Sequence, residues 1–243
     1  AYYRDVFAST EHEEVRDCLE RAVKSDPGYA DAWASLSFTY LDEHRFNYNP
    51  RPDPLNRALD AAQRAVAADP TSQWAHHALA QVYFHRHELD AFYAEGERTI
   101  ALNPNNAASL AEFGGNLCYA GDERGIAFVR KAMKLDPLHP TSFYLPITVH
   151  HFERGEYEEA LVAARKINSP RLYWPQIHLA AIYAQLGRQK EAESALGELL
   201  RLYPGFSIEI LVEELRKYNA TDDRIQRWVA PLRKAGLPES TEA

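Results

Sequence analysis

The residue type best suited to chemistry in this sequence is histidine, of which the chain has ten. His77 and His85 lie eight residues apart with Gln81 between them, so the three share one face of a helix. Neutral imidazoles bind metals, and their protonation at about pH 6 would place positive charge on an apolar surface. Six histidines fall on segments without Asp, Glu, Lys or Arg: His76, His77, His85, His150, His151 and His178. This pattern allows a histidine-lined receptor for a metal or small molecule, or a pH-sensitive groove.

The alternative for these histidines is a structural role. No carboxylate or cysteine completes a ligand set near them in sequence, and a histidine at an aromatic position, such as His150, is typical of a hydrogen-bonded core residue. The chain also lacks a glycine-rich phosphate loop, a nucleophile elbow and a carboxylate pair on an apolar face. We therefore expect no catalytic residue, no metal and no cofactor.

Composition disfavours several classes of partner. The 27 Lys and Arg against 35 Asp and Glu give a net charge of −8, which offers no basic surface for a nucleic-acid backbone. No N-terminal leader is visible, and no apolar run approaches the roughly 18 residues of a membrane span. Two cysteines, Cys18 and Cys118, cannot form a disulfide framework. We expect a cytoplasmic protein without nucleic-acid or membrane partners, cut from a longer polypeptide because its first residues already follow a helical pattern.

The elements that would position these side chains recur with a fixed period. Short helix-ending turns contain Pro27, Pro70, Pro104, Pro137, Pro170 and Pro204, with spacings of 43, 34, 33, 33 and 34 residues. A period of about 34 residues is that of the tetratricopeptide helix-turn-helix repeat. The spacing of 43 equals one repeat plus nine residues, which the stretch 45 to 54 supplies.

Helix signals agree with this period. A large, a small and an aromatic residue recur at helical spacing in the first helix of each unit, as in Leu79, Ala80 and Tyr83. Ser72 and Asn106 occupy helix N-cap positions, while Pro175 suits a first turn. Thr10 and Glu13 form a capping box that opens a second helix, so a partial unit precedes it.

These patterns predict an all-α fold, a right-handed solenoid of stacked helix pairs. We assign residues 1 to 204 to the repeat array, with about five full repeats, a partial N-terminal unit and the insertion near residues 45 to 54. Residues 205 to 238 form a C-terminal pair of capping helices, and 239 to 243 a tail. Pro146 falls inside a predicted first helix, where it would remove a donor and kink the helix.

The predicted first helices carry almost no charge. Residues 73 to 85, 141 to 152 and 172 to 186 hold no Asp, Glu, Lys or Arg. A helix that is neutral all round is buried on several sides or faces a partner. By helical spacing, the residues expected to face a concave groove are Trp74, His77, Gln81, Phe84, His85, Tyr144, Thr148, His151, Trp174, Ile177 and Gln185. Packing against neighbouring helices is the alternative role for the same residues.

Longer stretches carry a family resemblance. Four segments resemble tetratricopeptide-repeat (TPR) proteins. They are ERAVKSDPGYADAWASLSFTY (20 to 40), AAQRAVAADPTSQWAHHALAQVYF (61 to 84), LNPNNAASLAEFGGNLCYAGDERG (102 to 125) and LRKAGLPE (232 to 239). They are most similar to the C-terminal TPR region of bacterial class III adenylate/guanylate cyclases, which is also attached to some winged-helix transcriptional regulators. The resemblance implies a regulatory module without catalytic residues, whose catalytic or DNA-binding domain lies elsewhere in the polypeptide.

We therefore expect a non-catalytic interaction or sensory module of a bacterial signalling protein. Its partner would be a peptide, a protein or another domain of the same polypeptide, bound in the groove; a homodimer stays open as well. Two alternatives remain, a helical accessory part of a cyclase or transferase and the histidine-lined receptor.

Overall fold

The computed structural model describes residues 9 to 169 and 172 to 240. Within these ranges the chain forms thirteen α-helices and no β-strand, and none of these helices has both the length and the apolar character needed to cross a bilayer. The helices are α1 (Ser9–Ser25), α2 (Ala30–Phe46), α3 (Pro54–Ala68), α4 (Gln73–His85), α5 (Leu89–Leu102), α6 (Ala107–Ala120), α7 (Gly125–Leu135), α8 (Tyr144–Glu153), α9 (Tyr157–Ala164), α10 (Trp174–Gln185), α11 (Gln189–Leu202), α12 (Ile208–Lys217) and α13 (Asp222–Ala235). A 3₁₀ turn, Thr141–Phe143, precedes α8.

Consecutive helices form pairs joined by short turns. Helices α2 and α3, α4 and α5, α8 and α9, and α10 and α11 pack against each other. Proline lies in the turns after α1, α3, α5, α7 and α11, because it lacks the amide proton that would continue a helix. The stacked helix pairs confirm the all-α repeat fold. Pro170 lies outside the described residues.

The helix starts predicted at Ser72, Asn106 and Pro175 are confirmed, whereas the capping box is wrong: α1 begins at Ser9, so Thr10 lies inside the helix and does not cap it. Ser72 Oγ accepts a hydrogen bond from the Ala75 amide at 3.2 Å, and Asn106 Oδ1 accepts one from the Ser109 amide at 3.1 Å. Each side chain thereby satisfies a first-turn amide that has no acceptor inside the helix. Pro175 lies in the first turn of α10. The partial unit predicted before α1 lies outside the described residues.

The predicted insertion forms a loop, residues 47 to 53, between α2 and α3. Asn47, Asn49 and Asp53 adopt left-handed backbone angles, with φ of 55°, 42° and 57°. Asparagine and aspartate tolerate this region better than most residues. The Arg51 amide donates to the carboxylate of Glu43 at 2.9 Å, so the loop is tied to α2.

The chain divides into two compact units, Ala1–Ser109 and Leu110–Ala243, with the division inside α6. The core of unit 1 is rich in alanine from α2, α3 and α4, which lets these helices approach closely. In unit 2, the main apolar cluster joins residues of α8 to α13.

Within unit 2, the helices α6 and α7 also approach each other closely. A Cβ atom on Gly114 would lie 2.6 Å from the Gly125 carbonyl oxygen, far inside van der Waals contact. The two helices can come this close only because both positions are glycine, since a Cβ atom at either one would meet backbone atoms of the other helix.

The structure corrects the predicted role of Pro146. Helix α8 begins only at Tyr144, after the 3₁₀ turn, so Pro146 is the third residue of the helix. Amides of the first turn have no acceptor within a helix, and proline therefore removes no hydrogen bond there. Pro146 does not interrupt a helix interior, and its ring is buried beside Gly115.

Candidate interaction site

The aromatic surface of unit 1 is built around Trp74, in the first turn of α4. Its ring stacks on Phe38 of α2 with centroids 4.6 Å apart, and its Nε1 donates to Ser35 Oγ at 3.4 Å. The ring of His77, one turn further along α4, lies 5.6 Å from that of Trp74. We call Trp74, Phe38 and His77 the Trp74 stack. Because Trp74 is only half-buried, part of its ring is available for contact.

The other predicted residues of α4 are withdrawn from solvent. His77, Gln81 and His85 are at most 2% exposed. Phe84 is 0% exposed, and its ring packs edge-on against Phe92 of α5 at 5.1 Å. These side chains contribute to the interior of unit 1 and would reach a partner only after repacking.

His76 has a structural role that the sequence did not specify. Its Nδ1 lies 2.5 Å from Glu95 Oε2, and its Nε2 lies 3.0 Å from both the Pro70 carbonyl oxygen and Arg98 Nε. The imidazole thus links α4 to α5 and to the preceding turn. Glu95 was missed because a pair 19 residues apart depends on how two helices pack, which residue spacing alone does not reveal.

In unit 2, the predicted residues of α8 have different environments. Tyr144 is half-buried, with Lys166 Nζ 5.0 Å from its ring centroid. Thr148 is 0% exposed, and its hydroxyl donates to the Tyr144 carbonyl one turn back. His151 is half-buried, with Nδ1 2.6 Å from Glu156 Oε2. Hydrogen bonds from Arg154 and His151 lower the pKa of Glu156 to about 2.

The predicted residues of α10 range from fully buried to exposed. Trp174 is half-buried, stacks on Tyr173 at 5.6 Å and meets Tyr218 edge-on at 6.0 Å. Ile177 is 0% exposed and belongs to the main apolar cluster of unit 2. Gln185, at the end of the helix, is exposed. The members of the predicted site that remain accessible are therefore Trp74, Tyr144, His151, Trp174 and Gln185.

Helix α13, the last helix of the chain, lies on α8 and α10, which are the first helices of two pairs in unit 2. Helix α13 packs mainly against α10, and Trp228 stacks on Phe152 of α8 with centroids 3.9 Å apart. Arg224 donates to the Glu153 carboxylate through Nε at 2.9 Å and Nη2 at 2.6 Å. The sequence predicted this helix as a cap for the last repeat. Its contacts extend further back, to the carboxyl end of α6, where the Arg224 guanidinium donates to the carbonyls of Cys118 and Tyr119.

His178 lies beneath this helix. It is 4% exposed, its ring is 5.1 Å from that of Trp228, and its Nδ1 has no hydrogen-bond partner. Burial lowers the pKa of His178 from 6.5 to about 3, so the imidazole is neutral at physiological pH. In the part of the chain that the structure describes, no three His, Cys, Asp or Glu side chains form a group that could hold a metal ion.

Helix pairs of this kind recur in solved structures. The chain matches PilW, a widely conserved type IV pilus biogenesis factor, with a TM-score of 0.63 and 16% identity, covering 84% of this chain and 92% of that one. It matches a tetratricopeptide repeat protein from Parabacteroides merdae with a TM-score of 0.58 and 16% identity, covering 90% of this chain and 84% of that one. The chain has the tetratricopeptide-repeat fold. The TPR array also matches the APC/C hetero-tetramer Cut9-Hcn1 with a TM-score of 0.66 and 13% identity, covering 93% of this chain but only 44% of that one.

One curated protein is similar in sequence over part of the TPR array. It is named "Putative adenylate cyclase 3", from Rhizobium meliloti, and is 37% identical over 78 residues. The match covers 32% of this chain and 13% of that protein, so the matched segment is only a small part of the named cyclase. No family model matches the chain.

Proposed function

We propose that this chain is a non-catalytic interaction module that binds a peptide or protein segment through the first helices of its pairs. The observation that carries the proposal is the Trp74 stack, in which a half-buried tryptophan lies on a helix without Asp, Glu, Lys or Arg. An aromatic side chain held by its neighbours loses little conformational entropy on binding and presents a large apolar surface. Such anchors dominate the energetics of interfaces, at about 2 kcal/mol or more each.

Each unit has its own proposed contact residues, the accessible members of the predicted site. In unit 1 the contact residue is Trp74, and in unit 2 the contact residues are Tyr144, His151, Trp174 and Gln185. The buried members of the predicted site are left out of the contact residues: His77, Gln81, Phe84, His85, Thr148 and Ile177. The mixture of aromatic and neutral polar groups suits an apolar or aromatic peptide segment better than a charged one.

The larger context we propose is a bacterial signalling protein in the cytoplasm, in which catalysis belongs to another domain. The partial match to a protein named as an adenylate cyclase supports this context, and the match to Cut9-Hcn1, a hetero-tetramer, supports a role in assembly. The partner would then be a protein, another domain of the same polypeptide, or a second copy of the chain.

Selection from a phage-displayed random peptide library on the immobilised chain tests the proposal. We expect enriched peptides with apolar or aromatic residues, and a loss of about tenfold or more in their affinity for Trp74→Ala, since removal of an anchor costs 1.4 kcal/mol or more. The matched control is Tyr29→Ala, an exposed aromatic residue of the same unit, which should bind like the wild type. Equal affinity for wild type and Trp74→Ala would exclude the Trp74 stack as the site.

A further inference from the structure

Helix α13 is amphipathic and packs its apolar side on the rest of unit 2. Ile225, Trp228, Val229 and Leu232 are buried against the TPR array, while Gln226, Arg227, Arg233 and Lys234 on the opposite side are exposed. The surface that receives it consists of the Cys118 and Tyr119 carbonyls, Phe152, Glu153 and His178, and we call this surface the docking face. All of these groups belong to unit 2.

The docking face contains a binding site for a guanidinium group. Arg224 donates through Nε and Nη2 to both oxygens of Glu153, through Nη2 to the Cys118 carbonyl at 3.0 Å, and through Nη1 to the Tyr119 carbonyl. Both carbonyls are in the last turn of α6, at the negative end of the helix dipole, and the Cys118 carbonyl also accepts from the Gly121 amide at 3.0 Å. A planar fork of donors can serve all of these acceptors at once, whereas a lysine ammonium cannot.

Next to this site is a slot for an aromatic ring. Trp228 follows Arg224 by four residues and therefore lies one turn further on the same side of α13. Its ring stacks on Phe152 at 3.9 Å, and on another side it approaches His178 at 5.1 Å. Leu232, again four residues on, is 0% exposed. Arg224, Trp228 and Leu232 thus follow one another at four-residue intervals on the buried side of α13, and the first two contact the docking face.

Helix α13 depends on docking for its structure. Pro231, inside the helix, has no amide proton and so leaves the carbonyl four residues back without its helical donor. An isolated helix of 14 residues is marginal in water even without proline. The segment is joined to α12 by residues 218 to 221, and after it the Pro238 and Glu239 carbonyls accept from the amides of Ile208 and Glu209.

We propose that the docking face is a receptor for a partner helix carrying Arg, Trp and Leu at four-residue spacing, and that α13 is the resident ligand that competes with this helix. Charge complementarity supports this occupant, because the face presents a carboxylate and two helix-end carbonyls beside an apolar slot. A basic and aromatic amphipathic helix satisfies all of these groups, whereas an acidic one would place like charges together. The inference goes beyond the proposed function, since it concerns the surface of unit 2 that α13 covers and uses another probe.

The test uses a fluorescent synthetic peptide of residues 219 to 240 and the full chain. In Arg224→Ala the resident helix loses its charged anchor while the receptor stays intact. We therefore expect this variant to bind the peptide at least about tenfold more tightly than the wild-type chain does. Adding Glu153→Ala should reverse most of this gain, and a peptide with lysine in place of the arginine should bind about tenfold more weakly. Fluorescence anisotropy measures binding, and circular dichroism checks folding.

A second measurement keeps the proposal testable if Arg224→Ala does not fold. A specific protease site placed within residues 218 to 221 of the full chain allows the link to α13 to be cut after folding. We expect the cleaved segment to remain bound and then to exchange with added labelled peptide. Failure of the folded Arg224→Ala chain to take up peptide, binding that is insensitive to Glu153→Ala, or a cleaved segment that never exchanges would each overturn the proposal. None of these outcomes bears on peptide binding at the Trp74 stack.

Discussion

The guanidinium of Arg16 lies 2.9 Å from the carboxylate of Glu43, and both side chains are only 1% exposed. Glu43 also accepts hydrogen bonds from Arg57 and from the Arg51 amide, so one carboxylate joins α1, α2, α3 and the loop of residues 47 to 53. Burial by itself raises the pKa of Glu43, but the hydrogen bonds from Arg57, Arg51 and Arg16 outweigh it and hold the pKa below its ordinary value.

Removing this charge should destabilise unit 1. Glu43→Gln removes the buried counter-ion of Arg16 and leaves it only exposed carboxylates such as Glu13, which we expect to lower the free energy of unfolding by about 3 kcal/mol. Urea denaturation followed by circular dichroism measures the change. The control is Glu13→Gln, which removes another carboxylate 3.2 Å from Arg16 that is 55% exposed, and it should cost about 0.5 kcal/mol or less. Equal effects of the two variants would contradict a special role for the buried carboxylate.

The close approach of α6 and α7 predicts that Gly125 cannot be replaced. A Cβ at this position would lie 2.8 Å from the Cys118 amide nitrogen, and backbone cannot move aside as a flexible side chain does. We expect Gly125→Ala to lower the unfolding free energy by about 3 kcal/mol through overpacking. Thermal denaturation of the purified variant measures this loss.

Gly197 provides the matched comparison. It lies within α11, and a Cβ there would meet no atom within 4 Å. Gly197→Ala should therefore raise the stability by about 0.5 to 1 kcal/mol, because alanine loses less backbone entropy than glycine in a helix. Changes of the same sign in both variants would argue against the glycine contact between α6 and α7.

His178 predicts how stability depends on pH. Its pKa is about 3 in the folded chain against an ordinary 6.5, so the unfolded chain binds the additional proton as the pH falls below 6.5. This group therefore favours unfolding increasingly between about pH 6.5 and pH 3 and has little effect above that range. Relative to His178→Phe, the wild-type chain should lose about 2 kcal/mol more between about pH 7 and pH 5.

At neutral pH, His178→Phe should change stability by about 1 kcal/mol or less, because it nearly conserves shape and removes a buried nitrogen that has no hydrogen-bond partner. Urea titrations at several pH values measure both quantities. If the stability of wild type and variant changed with pH in parallel, His178 would have the same pKa in the folded and unfolded chains, which would contradict the prediction.

The two cysteines should differ in reactivity. Burial raises the pKa of Cys118 to about 12, whereas the side chain of Cys18 is exposed. Since the thiolate is the reactive form, we expect iodoacetamide to label Cys18 in the native chain and Cys118 on the order of a hundredfold more slowly. Mass spectrometry identifies the labelled residue, and both should react in guanidinium chloride. Rapid labelling of Cys118 in native Cys18→Ser would indicate that α6 opens.

Local sequence determined the order of the helices and several of their limits. The proline-marked turns, the caps at Ser72 and Asn106 and the uncharged segment that became α4 all depend on residues a few positions apart. Such signals act within one turn of helix, so they can be recognised without knowing how the helices pack. The start of α8 escaped prediction because a 3₁₀ turn takes up the first residues of that segment.

Tertiary structure decided which side chains remain available to a partner. Helical spacing placed Phe84 on one face of α4 with Trp74, and Ile177 on one face of α10 with Trp174, but packing buried Phe84 and Ile177 and left the tryptophans partly exposed. Arg224 reaches the carbonyl of Cys118, 106 residues away, and no periodic pattern specifies such a partner. The physical reason is that a helix period defines the direction of a side chain from its own axis, whereas burial depends on which helix lies opposite.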